Sequence, residues 1–258
     1  MRAFYDVSIL KMKKFALTAM MATVLSAPVH AFDLGAMISA GSDLMKSASL
    51  SDAQVKALAG ESSVVMDKNN KVAPASSAYA KRLDKMVKGL DSEDGTKLNF
   101  KVYLTKDVNA FAMADGTVRV YSGLMDKMND DEVRFVIGHE IGHVKLGHTK
   151  KAMQLAYATS AARKAAAGSG NAVAAELSTS ELGEFANAVA NAQFSQSQES
   201  DADSYAIGFL KRHNYNVQGG PAALRKLAEL YGNDSSLLSS HPAPGDRAAK
   251  LDKQLQSL

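Results

Sequence analysis

Residues 130–148, DDEVRFVIGHEIGHVKLGH, constrain this chain more than any other stretch. They contain the pattern His-Glu-x-x-His at positions 139–143. On an α-helix, residues four apart lie about 40° from each other around the axis. His139 and His143 therefore share one face and can bind one metal ion, while Glu140 can reach a metal-bound water without ligating the metal. The pattern predicts a site for zinc-assisted hydrolysis, with two imidazole ligands and a general base.

The third protein ligand must come from elsewhere in the chain, and several candidates can be compared. The longer pattern HExxHxxGxxH fails, because Leu146 and Thr149 stand at its glycine and third-histidine positions. His148 has the wrong spacing on a helix predicted to continue to that residue. Glu199 and His241 remain, and we favour Glu199 because a carboxylate on a packed helix is the more usual ligand.

Asp203 lies four residues after Glu199, so the two acids share one face of the helix that contains them. Asp203 can accept the outer N–H of a ligand histidine, for which His139 is the first choice, and so select its tautomer. The alternative for this pair is an acidic stripe that faces solvent.

His241, beside two prolines, is a further candidate for a role at the site. It either covers the open position of the metal or donates to the oxyanion. Arg247 and Tyr205 are ranked after it as oxyanion donors.

Hydrophobic periodicity predicts an α+β fold that is mostly helical, with a small three-stranded sheet packed on the HExxH helix. The predicted strands precede that helix, at residues 98–104, 108–114 and 117–121. Apolar positions after it predict one long helix over residues 184–211, which contains both Glu199 and Asp203. Further helices are predicted at residues 51–68, 76–90, 131–148, 150–167, 221–231 and 245–254.

The N-terminus has the pattern of a secretory signal peptide over residues 1–31. Three lysines at 11, 13 and 14 precede a mostly apolar stretch at 15–27, and Val29-His30-Ala31 fits a cleavage site. We therefore expect cleavage after Ala31, secretion, and a mature domain over residues 32–258 that contains the metal site. An uncleaved N-terminal anchor is the alternative. The sequence has no Cys, which excludes a lipoprotein anchor through Cys, disulfides and a thiolate metal site.

The charge balance gives no reason to expect a nucleic-acid partner. The leader carries four of the 30 basic residues and one of the 27 acidic residues, which leaves 26 of each in the mature chain. The basic character therefore belongs to the leader, and no anionic partner follows from it.

His139-Glu140-Ile141-Gly142-His143 together with Glu199-Ser200-Asp201-Ala202-Asp203 resembles the HtpX and CAAX-prenyl-protease family of zinc peptidases, in which HExxH is followed downstream by ExxxD. The similarity extends through residues 109–112, 116–124, 194–199 and 241–242, and is greatest to the secreted LoiP/BepA-like branch. The chain departs from HtpX in lacking its membrane spans, and from LoiP in lacking its cysteines.

The resemblance implies a zincin-type (gluzincin) fold, one zinc ion per chain, and peptide-bond hydrolysis with Glu140 as general base. It also implies a role in envelope protein quality control, with unfolded or misassembled envelope proteins as substrates. A peripheral association with the outer membrane or its assembly machinery fits the same branch. The first rival is a proteolytically weak, zinc-bound chaperone for unfolded envelope proteins; a zinc hydrolase of the cell wall is the second.

Overall fold

The computed structural model describes residues 50–166, 177–232, 241 and 243–257. The predicted signal peptide lies outside these ranges. The predicted fold class, α+β and mostly helical, is confirmed. The described elements are, in chain order, α1 (Asp52–Asn69), α2 (Ala78–Met86), β1 (Ser92–Glu93), β2 (Thr96–Lys97), β3 (Asn99–Tyr103), β4 (Ala110–Ala112), β5 (Thr117–Tyr121), α3 (Ser122–Lys127), α4 (Asp130–Lys145), α5 (His148–Ala166), α6 (Thr179–Ala190), α7 (Gln196–Arg212), α8 (Gly219–Tyr231) and α9 (Pro244–Gln256).

The three predicted strands form one sheet in the order β3-β5-β4, with β3 parallel and β4 antiparallel to β5. Side chains alternate between the two faces of the sheet. Val102, Val118 and Val120 join the core around α4. Tyr103 and Phe111 join a second core to which α1, α5 and α6 contribute. The sheet therefore separates two apolar cores, and its β4 edge lies beside α4.

A short hairpin, β1–β2, occupies a segment whose polar sequence predicts only a turn. Its two-residue loop is Asp94-Gly95, and both residues have positive φ, at 45° and 77°. Asp-Gly is a preferred sequence for this kind of tight turn, because both central positions require left-handed backbone.

The predicted single helix over residues 184–211 is wrong, because the chain forms two helices there, α6 and α7. Ser195 starts α7 with a capping box: its side chain accepts from the N–H of Gln198, and the Gln198 side chain accepts from the N–H of Ser195. The apolar positions on either side of the break have compatible spacing, which hides it in the sequence. The break separates α6, which packs on α1 and α5, from α7, which packs on α4.

Two glycines of the HExxH helix bring α4 and α7 into close contact. A Cβ at Gly138 would lie 2.6 Å from the Phe209 ring of α7. A Cβ at Gly142 would lie 3.2 Å from the Ala202 carbonyl oxygen. Because residues 138 and 142 are one turn apart, they form a smooth strip along which α7 lies. This close approach places the acids of α7 beside the histidines of α4.

The HExxH helix begins as predicted and ends earlier than predicted. Asn129 caps it, accepting from the N–H groups of Asp131 and Glu132. It ends at Lys145 rather than residue 148, because Gly147 takes the left-handed conformation with φ 76°. Within the described ranges, no helix is long and apolar enough to cross a membrane.

Candidate metal centre

α4 directs His139 and His143 toward one point, as their spacing predicts. Their Nε2 atoms lie 3.0 Å apart, and both side chains are buried. A Glu132–Asn129 capping box and three acidic residues in the first turn stabilise the start of this helix. The two imidazoles are therefore presented by a rigid element rather than by a loop.

Glu199 enters the same point from α7. Its side chain is 0% exposed. One carboxylate oxygen, Oε2, lies 3.5 Å from Nε2 of His139, and the other, Oε1, lies 3.4 Å from Nε2 of His143. The structure thus brings together the three residues that the sequence predicts as metal ligands.

His241 lies against this group from the far side. Its Nδ1 is 3.0 Å from Oε1 of Glu199 and 3.3 Å from Nε2 of His139. One ligand atom from each of these residues, His139, His143, Glu199 and His241, lies within 4.8 Å of every other. Three imidazole nitrogens and a carboxylate oxygen at this separation can coordinate a single metal ion.

A buried oxygen atom supports the fit of this donor set to a metal ion. Oε2 of Glu199 has no hydrogen-bond partner among the described residues. Nη1 of Arg247 lies 2.5 Å from it as an ion pair, and Nε2 of His139 lies 3.5 Å from it. Because buried polar atoms are almost always satisfied in proteins, such an atom suits a ligand of a bound cation.

Asp203 and Arg247 form a layer behind the ligands. Oδ1 of Asp203 lies 2.9 Å from Nδ1 of His139, the nitrogen that faces away from His143. The Nε and Nη2 groups of Arg247 donate to the two oxygens of Asp203 at 2.8 and 2.6 Å. This bidentate pairing holds the carboxylate that in turn orients the imidazole of His139.

Two residues considered as oxyanion donors lie elsewhere in the network. The guanidinium of Arg247 is buried and engaged with Asp203 and Glu199. The hydroxyl of Tyr205 donates to Asp94, at the hairpin, over 2.8 Å. Arg247 nevertheless lines the same pocket as His139 and Glu140, whereas the hydroxyl of Tyr205 is bound at the hairpin.

The pKa values of the cluster follow from burial and from ion pairing. Burial lowers the pKa of His139, but its contacts with the carboxylates of Asp203 and Glu199 outweigh burial and raise the pKa to about 9. Burial raises the pKa of Glu199, but the nearby cations hold it well below its usual range. Burial lowers the pKa of His143 well below its usual value. Glu199 is therefore ionised and His143 neutral, which are the forms that bind a metal, whereas His139 must release a proton when a metal binds.

Glu140 lies one residue from His139 and faces the same cavity. Its side chain is buried, and Oε1 lies 3.4 Å from Nε2 of His241. Burial raises the pKa of its carboxyl group. A raised pKa lies closer to neutral pH. This suits a general base, which must accept a proton and later return it.

His148 and Phe194 touch His143, and the sequence prediction missed both contacts. His148 is buried, and its Nδ1 lies 3.0 Å from Nδ1 of His143. The ring of Phe194 stacks on that of His143, with centroids 3.8 Å apart. Gly147 is the signal that was available, because a glycine near a predicted helix end indicates that the chain turns there. Burial lowers the pKa of His148.

The residues of this metal centre all lie within a part of the chain that matches a known protein family. The family described as Peptidase family M48 matches residues 77–255. The chain belongs to peptidase family M48. The resemblance to HtpX-type zinc peptidases and to their LoiP/BepA-like branch is thereby confirmed.

Curated relatives of this M48 chain agree on the class of enzyme. Metalloprotease LoiP of Escherichia coli (strain K12) is 44% identical over 250 residues, which are 96% of this chain and 98% of that protein. Metalloprotease YcaL of the same strain is 45% identical over 230 residues, 88% of this chain and 90% of that protein. The beta-barrel assembly-enhancing protease of the same strain is 25% identical over 224 residues, 83% of this chain but 44% of that protein. The predicted enzyme class, a metalloendopeptidase, is confirmed.

Beside the metal cluster, the described residues of this M48 peptidase form a pocket whose empty space, open solvent included, is about 500 Å³. Its floor includes Glu140 and His139, and one wall is the start of the edge strand β4. The rest of the lining is mainly apolar and comes from α3, α4 and α8, with the side chains of Leu124, Phe135, Val136, Leu224 and Leu227. The pocket can therefore accommodate an apolar group beside the carboxyl group of Glu140.

Proposed function

We propose that this protein is a secreted, zinc-dependent endopeptidase that hydrolyses unfolded or misassembled envelope proteins. The observation that carries the proposal is the position of Glu140. It lies next to a converging set of two histidines and a glutamate, and beside an apolar pocket open to solvent. A metal kept only for structure needs no such carboxylate.

His139, His143 and Glu199 would hold the metal, and zinc suits this combination of nitrogen and carboxylate ligands. When bound there, zinc supplies a Lewis acid that lowers the pKa of a coordinated water to near neutrality. Asp203, held by Arg247, fixes the orientation of His139. One zinc ion per chain follows from a single cluster of this kind in the described part of the chain.

Glu140 takes the proton of the attacking water and passes it to the leaving nitrogen of the peptide. His241 closes the site in the arrangement described here, because its Nδ1 lies against both Glu199 and His139. It must move aside to admit a substrate. Once displaced, its N–H is the candidate donor to the oxyanion that develops on the carbonyl.

The substrate is an extended polypeptide with apolar side chains. β4 is one of the two edge strands of the described sheet and borders the pocket, so an extended chain can pair with it. The apolar lining then accepts a side chain next to the scissile bond. Unfolded proteins offer both features, an extended backbone and exposed apolar side chains.

The cellular setting is proposed from the leader and from one relative. Residues 1–31 carry the signal-peptide pattern, residues 32–258 form the mature peptidase, and the lack of Cys rules out a lipoprotein. A relative described as a beta-barrel assembly-enhancing protease supports work on outer-membrane proteins. We place this chain in the periplasm, in protein quality control, with peripheral association with the outer membrane or its assembly machinery.

Glu140→Gln tests the mechanism. With zinc restored to both proteins, we expect cleavage of an unfolded protein to fall by a factor of about 10² to 10⁴, the usual share of a general base. Zinc content should be unchanged, since Glu140 is not needed as a ligand. Glu184→Gln, at an exposed position on α6, is the matched control.

Two results would count against the proposed function. Cleavage by Glu140→Gln at the wild-type rate would refute Glu140 as the base. If wild type and variant are equally inert and both bind unfolded proteins, the chain is a zinc-bound chaperone instead.

Export can be checked on the mature protein itself. We expect the protein recovered from the periplasm to begin at Phe32, because Ala31 ends the small-residue cleavage pattern. Mass spectrometry of the N-terminal peptide measures this directly. Recovery of residues 1–31 on the exported protein would contradict cleavage and favour an uncleaved anchor.

A further inference from the structure

We propose that His148 is a positioning residue for His143, holding its imidazole through the outer ring nitrogen. This inference rests on the metal site of the proposed function. It concerns a residue that the HExxH and ExxxD patterns do not contain.

The hydrogen bond between the two rings has only one consistent direction. Nε2 of His143 faces His139 and Glu199, so this nitrogen must offer its lone pair to a metal. The proton of neutral His143 is then on Nδ1. Nδ1 of His148 lies 3.0 Å away, so it accepts this proton, and His148 itself carries its proton on Nε2.

The two metal-binding histidines are thus supported by different chemistry. His139 contacts a carboxylate, that of Asp203, which Arg247 holds from behind. For His143, the neutral imidazole of His148 takes the role that the carboxylate of Asp203 has for His139. No described carboxylate contacts Nδ1 of His143, and the ring is only 1% exposed, so removal of His148 leaves a buried N–H without this acceptor. A neutral acceptor also adds no further negative charge to a site that already contains Glu199 and Asp203.

The fold is built to bring His148 back to this point. α4 ends at Lys145, and the left-handed Gly147 reverses the chain so that His148 becomes the first residue of α5. On a continuous helix, residue 148 would point away from residue 143.

A second contact restricts the same ring. Phe194 stacks on the face of His143 with an interplanar angle of 21°. The hydrogen bond from Nδ1 restricts rotation of the His143 ring within its own plane. The stack on Phe194 restricts tilting of that plane. His143 is therefore oriented before a metal arrives, which is what an outer partner of a ligand histidine provides.

The experiment compares His148→Leu with His148→Asn in the full chain. Oδ1 of asparagine takes a position close to that of Nδ1 of histidine, so His148→Asn keeps an acceptor, whereas His148→Leu removes it. His213→Leu is the matched control, because His213 also lies at a helix end but pairs with Glu93 away from the metal site. The affinity for Zn²⁺ is measured by competition with a chelator, and the visible absorption of the Co²⁺ form reports ligand geometry.

We expect His148→Leu to weaken Zn²⁺ binding by a factor of about 10 to 100 and to change the Co²⁺ spectrum. His148→Asn and His213→Leu should stay within a few-fold of wild type. Thermal unfolding of the metal-free proteins separates this effect from a loss of fold stability. In wild-type protein loaded with Zn²⁺, long-range ¹H–¹⁵N spectra should show His148 with its proton on Nε2.

Wild-type Zn²⁺ affinity and an unchanged Co²⁺ spectrum in His148→Leu would overturn the proposal, as would a proton on Nδ1 of His148. Equal loss in His148→Asn and His148→Leu would also overturn it, because the bulk of the ring and not the acceptor would then be what matters. None of these measurements uses a substrate. A protein that binds Zn²⁺ in the expected way but cleaves nothing would refute the proposed function and leave this inference standing.

Discussion

At the scale of single residues, Arg247 is the cation that allows two carboxylates to remain buried behind the metal cluster. Its guanidinium lies 2.5 Å from Glu199 and 2.6 Å from Asp203, and all three side chains are at most 6% exposed. In the metal-free protein, Arg247 and protonated His139, whose pKa is about 9, together balance the two buried negative charges. A divalent cation that displaces the proton of His139 supplies positive charge at the same place.

Arg247→Met should destabilise the metal-free protein strongly. Removal of one partner from a buried ion pair leaves uncompensated charge, and the usual cost is about 3 to 5 kcal/mol. Zn²⁺ should restore part of this loss, because it binds only the folded state and supplies positive charge at the same place. Urea unfolding with and without Zn²⁺ measures both effects.

Arg225→Met is the control for this substitution. Arg225 pairs with Asp252 at the surface, with both side chains at least 40% exposed, so its loss should cost no more than about 1 kcal/mol. If the two variants lose equal stability, Arg247 does not neutralise a buried charge in the way described.

At the scale of elements, the separation of α4 and α7 determines whether the ligands meet. Gly138 is the tightest point of this contact, because a Cβ at this position would lie 2.6 Å from the buried ring of Phe209. Gly142 is the second such point. The glycines within GHEIGH therefore serve the packing that brings Glu199 to His139 and His143.

Gly138→Ala should lower stability by roughly 1 to 3 kcal/mol, the usual cost of overpacking, despite the better helix propensity of alanine. It should also weaken Zn²⁺ binding, because α7 must shift to make room. Gly208→Ala on α7 is the control: its Cβ would meet only the flexible end of Arg212, at 3.2 Å. Thermal unfolding and chelator competition check the pair, and a Gly138→Ala protein as stable as Gly208→Ala would contradict this account.

The sequence predicts those parts of the site that depend on spacing within one helix. His139 and His143, and Glu199 and Asp203, are each four residues apart, and each pair reaches the cluster from one helix face. These positions follow from helical geometry alone. The sheet is predicted for the same reason, since alternation along a strand is local.

Features that depend on chain reversal or on distant partners are not predicted in this way. The contact between His148 and His143 is missed because helical spacing is carried past Gly147, where the chain turns. The break before Ser195 is hidden because apolar residues on both sides fit one helical stripe. Arg247 is ranked only as a candidate oxyanion donor, after His241, because nothing local indicates its pairing with Asp203 across 44 residues.

At the scale of the whole molecule, a buried ion pair fastens α1 to the sheet on the side away from the metal cluster. Arg119 of β5, with its side chain 2% exposed, donates to Asp67 of α1 at 2.8 and 3.0 Å. Lys101 and Tyr103 of β3 donate to the same carboxylate. These contacts join α1 to two neighbouring strands at the edge of the second core, so its docking depends on the charge of one carboxylate.

Asp67 makes this docking dependent on pH. Burial raises its pKa, but hydrogen bonds from Arg119, Lys101 and Tyr103 outweigh it and lower the pKa below the usual 3.8. A carboxyl group whose pKa is lower in the folded protein contributes stability that is fully present above its unfolded pKa. That contribution is lost as the pH falls through the folded pKa. The relevant window therefore lies below pH 4, and the contribution is constant near neutrality.

Asp67→Asn should cost about 3 kcal/mol at pH 7, because Arg119 is left buried without its counter-charge. The difference from wild type should shrink as the pH falls below 4, since the Asp67 carboxyl then gains a proton, first in the unfolded chain and at lower pH in the folded protein. Urea midpoints from pH 7 to pH 3, with the metal removed by a chelator, measure the difference. Asp252→Asn, from an exposed pair, should change little at any pH. If the gap between Asp67→Asn and wild type is as large at pH 3 as at pH 7, the charge of Asp67 does not hold α1 on the sheet. The helix would then depend on the apolar contacts of Val55, Ala59 and Met66 alone.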